Sequence, residues 1–181
     1  MRLFFAIPLP ERLQDELARF QTRTRLCEGK VSWVSPGGLH LTLAFLGEQD
    51  GSRVPVLFEV ALRAASRHPV FPLKTSHLGG FPKDRSARVL WLGLDEQPGL
   101  SLLAEDLRKG VRETGISIDE NPFNAHLTLA RCKAPQNVAQ FGEPPAPMAF
   151  EARGLVLFQS VQTPSGSRYL ALGTAPLRVG V

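Results

Sequence analysis

Two strings in this 181-residue chain pair an imidazole with a hydroxyl, and they are the same string. Residues 40–44 read His-Leu-Thr-Leu-Ala, and residues 126–130 read His-Leu-Thr-Leu-Ala again, 86 positions later. Side chains two apart on a β-strand share a face. His40 with Thr42, and His126 with Thr128, each offer an imidazole beside a hydroxyl. One such pair is ordinary strand polarity. The same pair at the same place in a repeated unit points to one site built from both copies. Two histidines supply a proton donor and a proton acceptor near neutral pH without a metal. Neither strand carries a carboxylate in phase to complete a metal set, and no nucleophile-elbow motif is present. Phosphodiester cleavage suits what remains. A neutral imidazole takes a proton from water, an imidazolium protonates the departing oxygen, and the hydroxyls hold the non-bridging oxygens.

Strict alternation puts His40, Thr42, Ala44 and Leu46 on one face, and Leu39, Leu41, Leu43 and Phe45 on the other. The second copy repeats this with His126, Thr128, Ala130 and Cys132. Phe45 and Arg131 each lie five residues after their histidine, on the opposite face. A bulge near the strand end would turn them into the cleft. There Arg131 would pair with phosphate and Phe45 would stack on a base, which makes both candidate substrate-binding residues.

The repeat reaches the elements that must position these strands. The apolar runs starting at Leu3 and at Val89 each begin 37 residues before their histidine. A helical pattern follows each run, with Leu13, Leu17 and Phe20 in the first and Leu103, Leu107 and Val111 in the second. Residues 3–7, 31–34, 39–46, 70–78, 87–94, 123–131, 150–160 and 167–172 read as strands. Residues 10–25, 54–67 and 99–114 read as helices, with Pro10 suited to a first turn. Residues 79–85 read as a loop, and 135–147, with four prolines, as an irregular connection. Helices separated by strand pairs predict an α+β fold with mostly antiparallel sheet.

Composition adds bounds. Apolar content of 43% and charged content of 21% are ordinary for a globular chain. No apolar run approaches the roughly 20 residues of a membrane helix. The opening reads as a mature start, not a signal peptide, because its apolar run is short and leads into a charged helix. Two cysteines, Cys27 and Cys132, form no framework, which fits a reducing, cytoplasmic setting; Cys132 reads as a buried thiol in phase with the histidine face. A net charge of +4 is compatible with an RNA partner without demanding one. His68 and His77 lie outside the motif and carry no expected proton-transfer role, while Lys83, Arg85 and Arg88 offer loop charge that could follow an RNA backbone.

The chain resembles the two-histidine (2H) phosphoesterases, specifically the RNA 2′,3′-cyclic phosphodiesterases, also called 2′-5′ RNA ligases. The resemblance rests on Arg2-Leu3-Phe4-Phe5-Ala6-Ile7, Trp33, both His-Leu-Thr-Leu strings, Gly80-Phe81-Pro82 and Val89-Leu90-Trp91-Leu92-Gly93. It implies one bilobal domain over residues 1–181, with two pseudo-symmetric lobes flanking a central cleft. It implies hydrolysis of a 2′,3′-cyclic phosphate at an RNA 3′ end, tRNA fragments among such RNAs, to a 2′-phosphate. His40 would be the proton donor and His126 the proton acceptor, while Thr42 and Thr128 would bind the phosphate. The residues alone do not separate the two histidine roles. No metal, no cofactor, no membrane and no obligate protein partner are implied. Joining of a cyclic phosphate end to a 5′-hydroxyl is the alternative enzymatic reading, and an RNA- or nucleotide-binding module without turnover is the alternative outside enzymes.

Overall fold

The computed structural model describes residues 1–24, 31–118, 121–164 and 166–179. The predicted end of the first helix at Arg25, and Cys27, lie outside those residues. The chain runs β1 (Arg2–Pro8), α1 (Glu11–Arg23), β2 (Val31–Trp33), β3 (His40–Glu48), α2 (Val54–Ala65), β4 (Phe71–Phe81), β5 (Ala87–Leu94), α3 (Pro98–Glu113), β6 (His126–Gln136), β7 (Ala149–Ala152), β8 (Gly154–Thr163) and β9 (Gly166–Pro176).

Each helix follows from its apolar spacing. Leu13, Leu17 and Phe20 form the buried stripe of α1, which closes where the Thr24 hydroxyl donates to the Phe20 carbonyl at 2.7 Å. In α3 the stripe is Leu100, Leu103, Ala104, Leu107 and Val111, and the Gln97 side chain caps the N-terminus by accepting from Gly99 N–H at 3.1 Å. Among the described residues, no helix is long and apolar enough to cross a membrane.

The strands join in the order β7-β4-β5-β6-β3-β1-β8-β9, with β2 paired to β6, and the named pairs are antiparallel. The result is a curled antiparallel sheet in an α+β fold. The strands sort into two groups that meet where β3 and β6 touch, at the single register pair Leu41–Leu127. Membership crosses the repeat. β4 belongs by sequence to the first half, yet it pairs with β5 and β7 of the second. β8 belongs to the second half, yet it pairs with β1 of the first. Each half therefore completes the other's sheet.

Several predicted boundaries change, the last strand among them, which runs on to Pro176. Residues 79–81, expected in a loop, continue β4, with Gly79 opposite Trp91 and Gly80 opposite Leu90. The close approach explains the glycines. A Cβ on Gly79 would lie 2.2 Å from the Trp91 indole, and one on Gly80 would lie 2.3 Å from the Ala87 Cβ. β6 starts at His126, not at residue 123, and runs on to Gln136. Residues 150–160, read as one strand, are two, β7 at one end of the sheet order and β8 next to last at the other. Thr75 anchors the irregular segment before β7: its hydroxyl accepts Met148 N–H at 2.9 Å, and its own N–H donates to the Met148 carbonyl at 3.0 Å. Gly79→Ala must push the indole off its bed, and overpacking of this kind costs roughly 1–3 kcal/mol. A lower denaturant midpoint at unchanged slope is the expected result; an unchanged midpoint would remove this account of Gly79.

Candidate active site

The strict alternation expected of the two histidine strands breaks, at the same place in each. Along β1 and β3 the register runs Ala6–Thr42 and then Phe5–Ala44, skipping Leu43. Along β5 and β6 it runs Trp91–Thr128 and then Leu90–Ala130, skipping Leu129. Leu43 and Leu129 are 86 positions apart, so the bulge is part of the repeat. An extra residue reverses the facing of everything beyond it. Ala44, Leu46, Ala130 and Cys132 turn into the core instead of sharing the histidine face. Phe45 and Arg131 turn out onto it, Phe45 with 58% of its surface exposed. The expected phase of Ala44 and Cys132 with the histidines is corrected by this bulge, and Cys132 is a buried core residue.

Before the bulges, the antiparallel pair Leu41–Leu127 sets His40 opposite Thr128 and Thr42 opposite His126. The four polar side chains lie on one face, with the two histidines on a diagonal. Diagonal neighbours in such a ladder stand about 7–8 Å apart, room for one phosphate between two imidazoles.

Both imidazoles are oriented in the same way. His40 Nδ1 lies 2.7 Å from the Gly38 carbonyl, and His126 Nδ1 lies 2.8 Å from the Asn124 carbonyl. A carbonyl only accepts, so each Nδ1 carries the hydrogen and donates it. Each Nε2 is left to hold or release a proton. Burial pushes the pKa of His40 below its ordinary value, and the neighbouring His126 pushes it further down; the Gly38 carbonyl opposes them. Burial also lowers the pKa of His126, against the Asn124 carbonyl. Both rings therefore favour the neutral form in the unliganded protein.

Two cavities adjoin along this face. One, of about 350 Å³, is lined by His40, Thr42, Phe45, Thr128 and Arg131, together with Arg2, Phe4 and Tyr169, which residue spacing does not single out. The other, of about 500 Å³, is lined by His126, Thr42, Phe45, Phe81 and Phe123, with Arg108 and Asn121 at its side. Thr42 and Phe45 belong to both. All six candidate residues are thus brought to one cleft. Tyr169 is the chain's single tyrosine and stands on β9, far from either motif, so no local pattern marks it.

The other flagged residues stand outside both cavities. His68 Nε2 lies 2.9 Å from Asp106 Oδ2 and ties the end of α2 to α3. His77 is exposed, beside Trp91. Lys83, Arg85 and Arg88 are exposed, and the Arg88 guanidinium donates to the Lys133 carbonyl at 3.2 Å. Among the described residues, no three His, Cys, Asp or Glu side chains gather as metal ligands would.

Known proteins resemble this chain over most of its length. The family model described as "LigT like Phosphoesterase" matches residues 7–91 and 92–169. An RNA 2′,3′-cyclic phosphodiesterase of Thermus thermophilus is 36% identical, over 98% of this chain and 91% of its own. One from Escherichia coli is also 36% identical, over 72% of this chain and 71% of its own. Among crystal structures, a Thermus thermophilus protein superposes with a TM-score of 0.84 at 34% identity, covering 99% of both chains. Escherichia coli LigT complexed with 3′-AMP superposes with a TM-score of 0.84 at 31% identity, covering 97% of both. A family match falling on both halves of the repeat, and relatives that span the fold end to end, place this chain in the LigT-like, two-histidine phosphoesterases.

Proposed function

We propose that the chain hydrolyses RNA 2′,3′-cyclic phosphate ends to 2′-phosphomonoesters by acid–base catalysis between His40 and His126. The observation that carries this reading is the diagonal of two histidines and two threonines on one face, each imidazole presenting Nε2. The relatives named above as RNA 2′,3′-cyclic phosphodiesterases support the substrate, and the 3′-AMP complex of LigT supports a ribonucleotide phosphate in this fold.

In this reaction the neutral Nε2 of His126 takes a proton from water as the water oxygen bonds to phosphorus. The bond from phosphorus to the ribose 3′-oxygen breaks, and the proton on Nε2 of His40 goes to that oxygen. Thr42 and Thr128 donate to the non-bridging oxygens, where negative charge gathers. His126 ends protonated and His40 neutral, and solvent exchange resets both. The division of roles comes from family resemblance. It agrees with the cavity on the His40 side, where Arg2, Arg131, Phe4 and Tyr169 suit the charge and flat base of a nucleotide whose ribose oxygen departs there. Arg131 then pairs with phosphate, and Phe45, on the rim common to both cavities, offers a stacking surface. The whole chain acts as one unit, with a cytoplasmic RNA end as its substrate and no resident metal or cofactor.

The test is a short RNA ending in a 2′,3′-cyclic phosphate, incubated with purified protein in EDTA. Ring opening to the 2′-phosphate alone is expected. Opening only after divalent ions are added, or formation of the 3′-phosphate, would overturn the reading.

A further inference from the structure

Gly80-Phe81-Pro82 and the chain's single tyrosine carry no proton in the chemistry above, yet both touch the histidines that do. The Phe81 ring meets the His126 imidazole at a centroid distance of 5.0 Å and an interplanar angle of 85°. The Tyr169 ring meets the His40 imidazole at 5.0 Å and 85°. Edge-to-face contact of this kind is the favoured aromatic geometry, and it fixes the tilt of both rings. The hydrogen bond from Nδ1 to a carbonyl fixes only one point of an imidazole. A second contact at right angles removes the remaining swing about the terminal side-chain torsion, which is otherwise broad.

We propose that Phe81 and Tyr169 are positioning residues, a matched pair of aromatic walls that aim Nε2 of His126 and of His40 at the phosphate. The walls are supplied crosswise. Phe81 ends β4, from the first half, and holds the histidine of the second. Tyr169 stands on β9, from the second half, and holds the histidine of the first. The glycines before Phe81 serve the same wall. Gly79 lets the Trp91 indole lie flat against β4, and that indole backs Phe81 at a centroid distance of 5.3 Å. On the other side, Phe4 packs on Tyr169 at 5.2 Å and also lies 4.8 Å from the His40 ring itself, tilted by 33°, so that Tyr169 is the wall that meets His40 edge to face.

The walls also exclude water from the imidazoles, so removing one should be felt in titration. The charged and titratable groups facing His126 are His40 on β3, Arg108 on α3 and, further along its own strand, Arg131. Those facing His40 are His126 and Arg131 on β6, Arg2 on β1 and Tyr169 itself. Phe81→Ala leaves every charged group in place. Tyr169→Phe separates the hydroxyl from the ring.

The experiment follows histidine titration by NMR in the unliganded protein, alongside kcat and KM for a dinucleotide cyclic phosphate. Phe81→Ala should raise the His126 midpoint by about half a pH unit or more and move His40 much less; Tyr169→Ala should do the reverse. Each should lower kcat by about 10- to 100-fold, because misplacing a catalytic group costs turnover; KM should change little in Phe81→Ala and rise in Tyr169→Ala, where a surface for the base is lost as well. Phe81→Tyr and Tyr169→Phe should restore both readouts. Unmoved midpoints, equal shifts of both histidines in each variant, or a KM effect without a kcat effect would overturn the proposal. The kinetic arm rests on the phosphodiesterase reading; the titration arm does not. If no variant or parent opens the cyclic phosphate while the crosswise shifts are seen, it is the function that fails and not the positioning.

Discussion

Alanine in place of His40 or His126 is expected to lower kcat on a dinucleotide 2′,3′-cyclic phosphate by at least about 100-fold, within the 10²–10⁴ range of one proton-transfer role. KM should change little, since the imidazoles act on protons in flight more than on the bound phosphate. Folding should survive, because each ring is only half-buried and its one hydrogen bond runs to a carbonyl two residues back. The double variant should lose much less than the product of the two single losses, because once one proton path is gone the other has little left to complete. Thr42→Ala and Thr128→Ala should cost less, each removing one donor to an oxygen that the other still holds. A single histidine variant that keeps activity within a few-fold of the parent, by initial rates at saturating substrate, would make that histidine structural.

The second large effect is on pH. The proposed cycle needs one imidazole neutral and the other protonated. Both have pKa values below the ordinary 6.5, so that mixed state peaks on the acid side of 6.5 in the free protein. The sign follows. Raising pH through the lower value frees the base, and kcat/KM climbs. Raising it through the upper value strips the acid, and kcat/KM falls about tenfold per pH unit thereafter. The two values belong to the coupled pair and not to either residue. A bound phosphate carries negative charge, which favours imidazolium, so the profile of kcat should sit at higher pH than that of kcat/KM. Each alanine variant should lose one limb. Rates measured from about pH 4 to pH 9 in chelator check this, and a kcat/KM flat or rising above the ordinary histidine value would overturn it.

Much of this geometry is legible in the order of the residues. The repeat, the two His-Thr strands, the helices with their apolar stripes and the α+β class follow from spacing alone. The parity of Phe45 and Arg131 does not. A bulge is decided by how a strand is paired, and Leu43 and Leu129 look like any other leucines in an alternating run. The end of β4 is hidden for a related reason. Gly79-Gly80 followed by Phe81-Pro82 has the composition of a turn, and only the nearness of Trp91 and Ala87 shows why glycine is needed inside a strand. The walls around the histidines are hidden because they come from the opposite half of the chain, where sequence proximity carries no information.

A chain of half this length, ending after its own β4, would carry one His-Thr strand and a last strand with no partner of its own. Two copies would close only by trading those strands, as a two-fold symmetric dimer with one imidazole from each. Joining the copies in one polypeptide replaces assembly that depends on concentration with closure inside a single molecule. It also lifts a constraint that symmetry imposes. In a homodimer, the residue two places past the bulge must be the same on both sides of the cleft. Here those places hold Phe45 and Arg131, one aromatic and one cationic. Fusion thus lets a symmetric frame present an aromatic ring on one side of its cleft and a cation on the other.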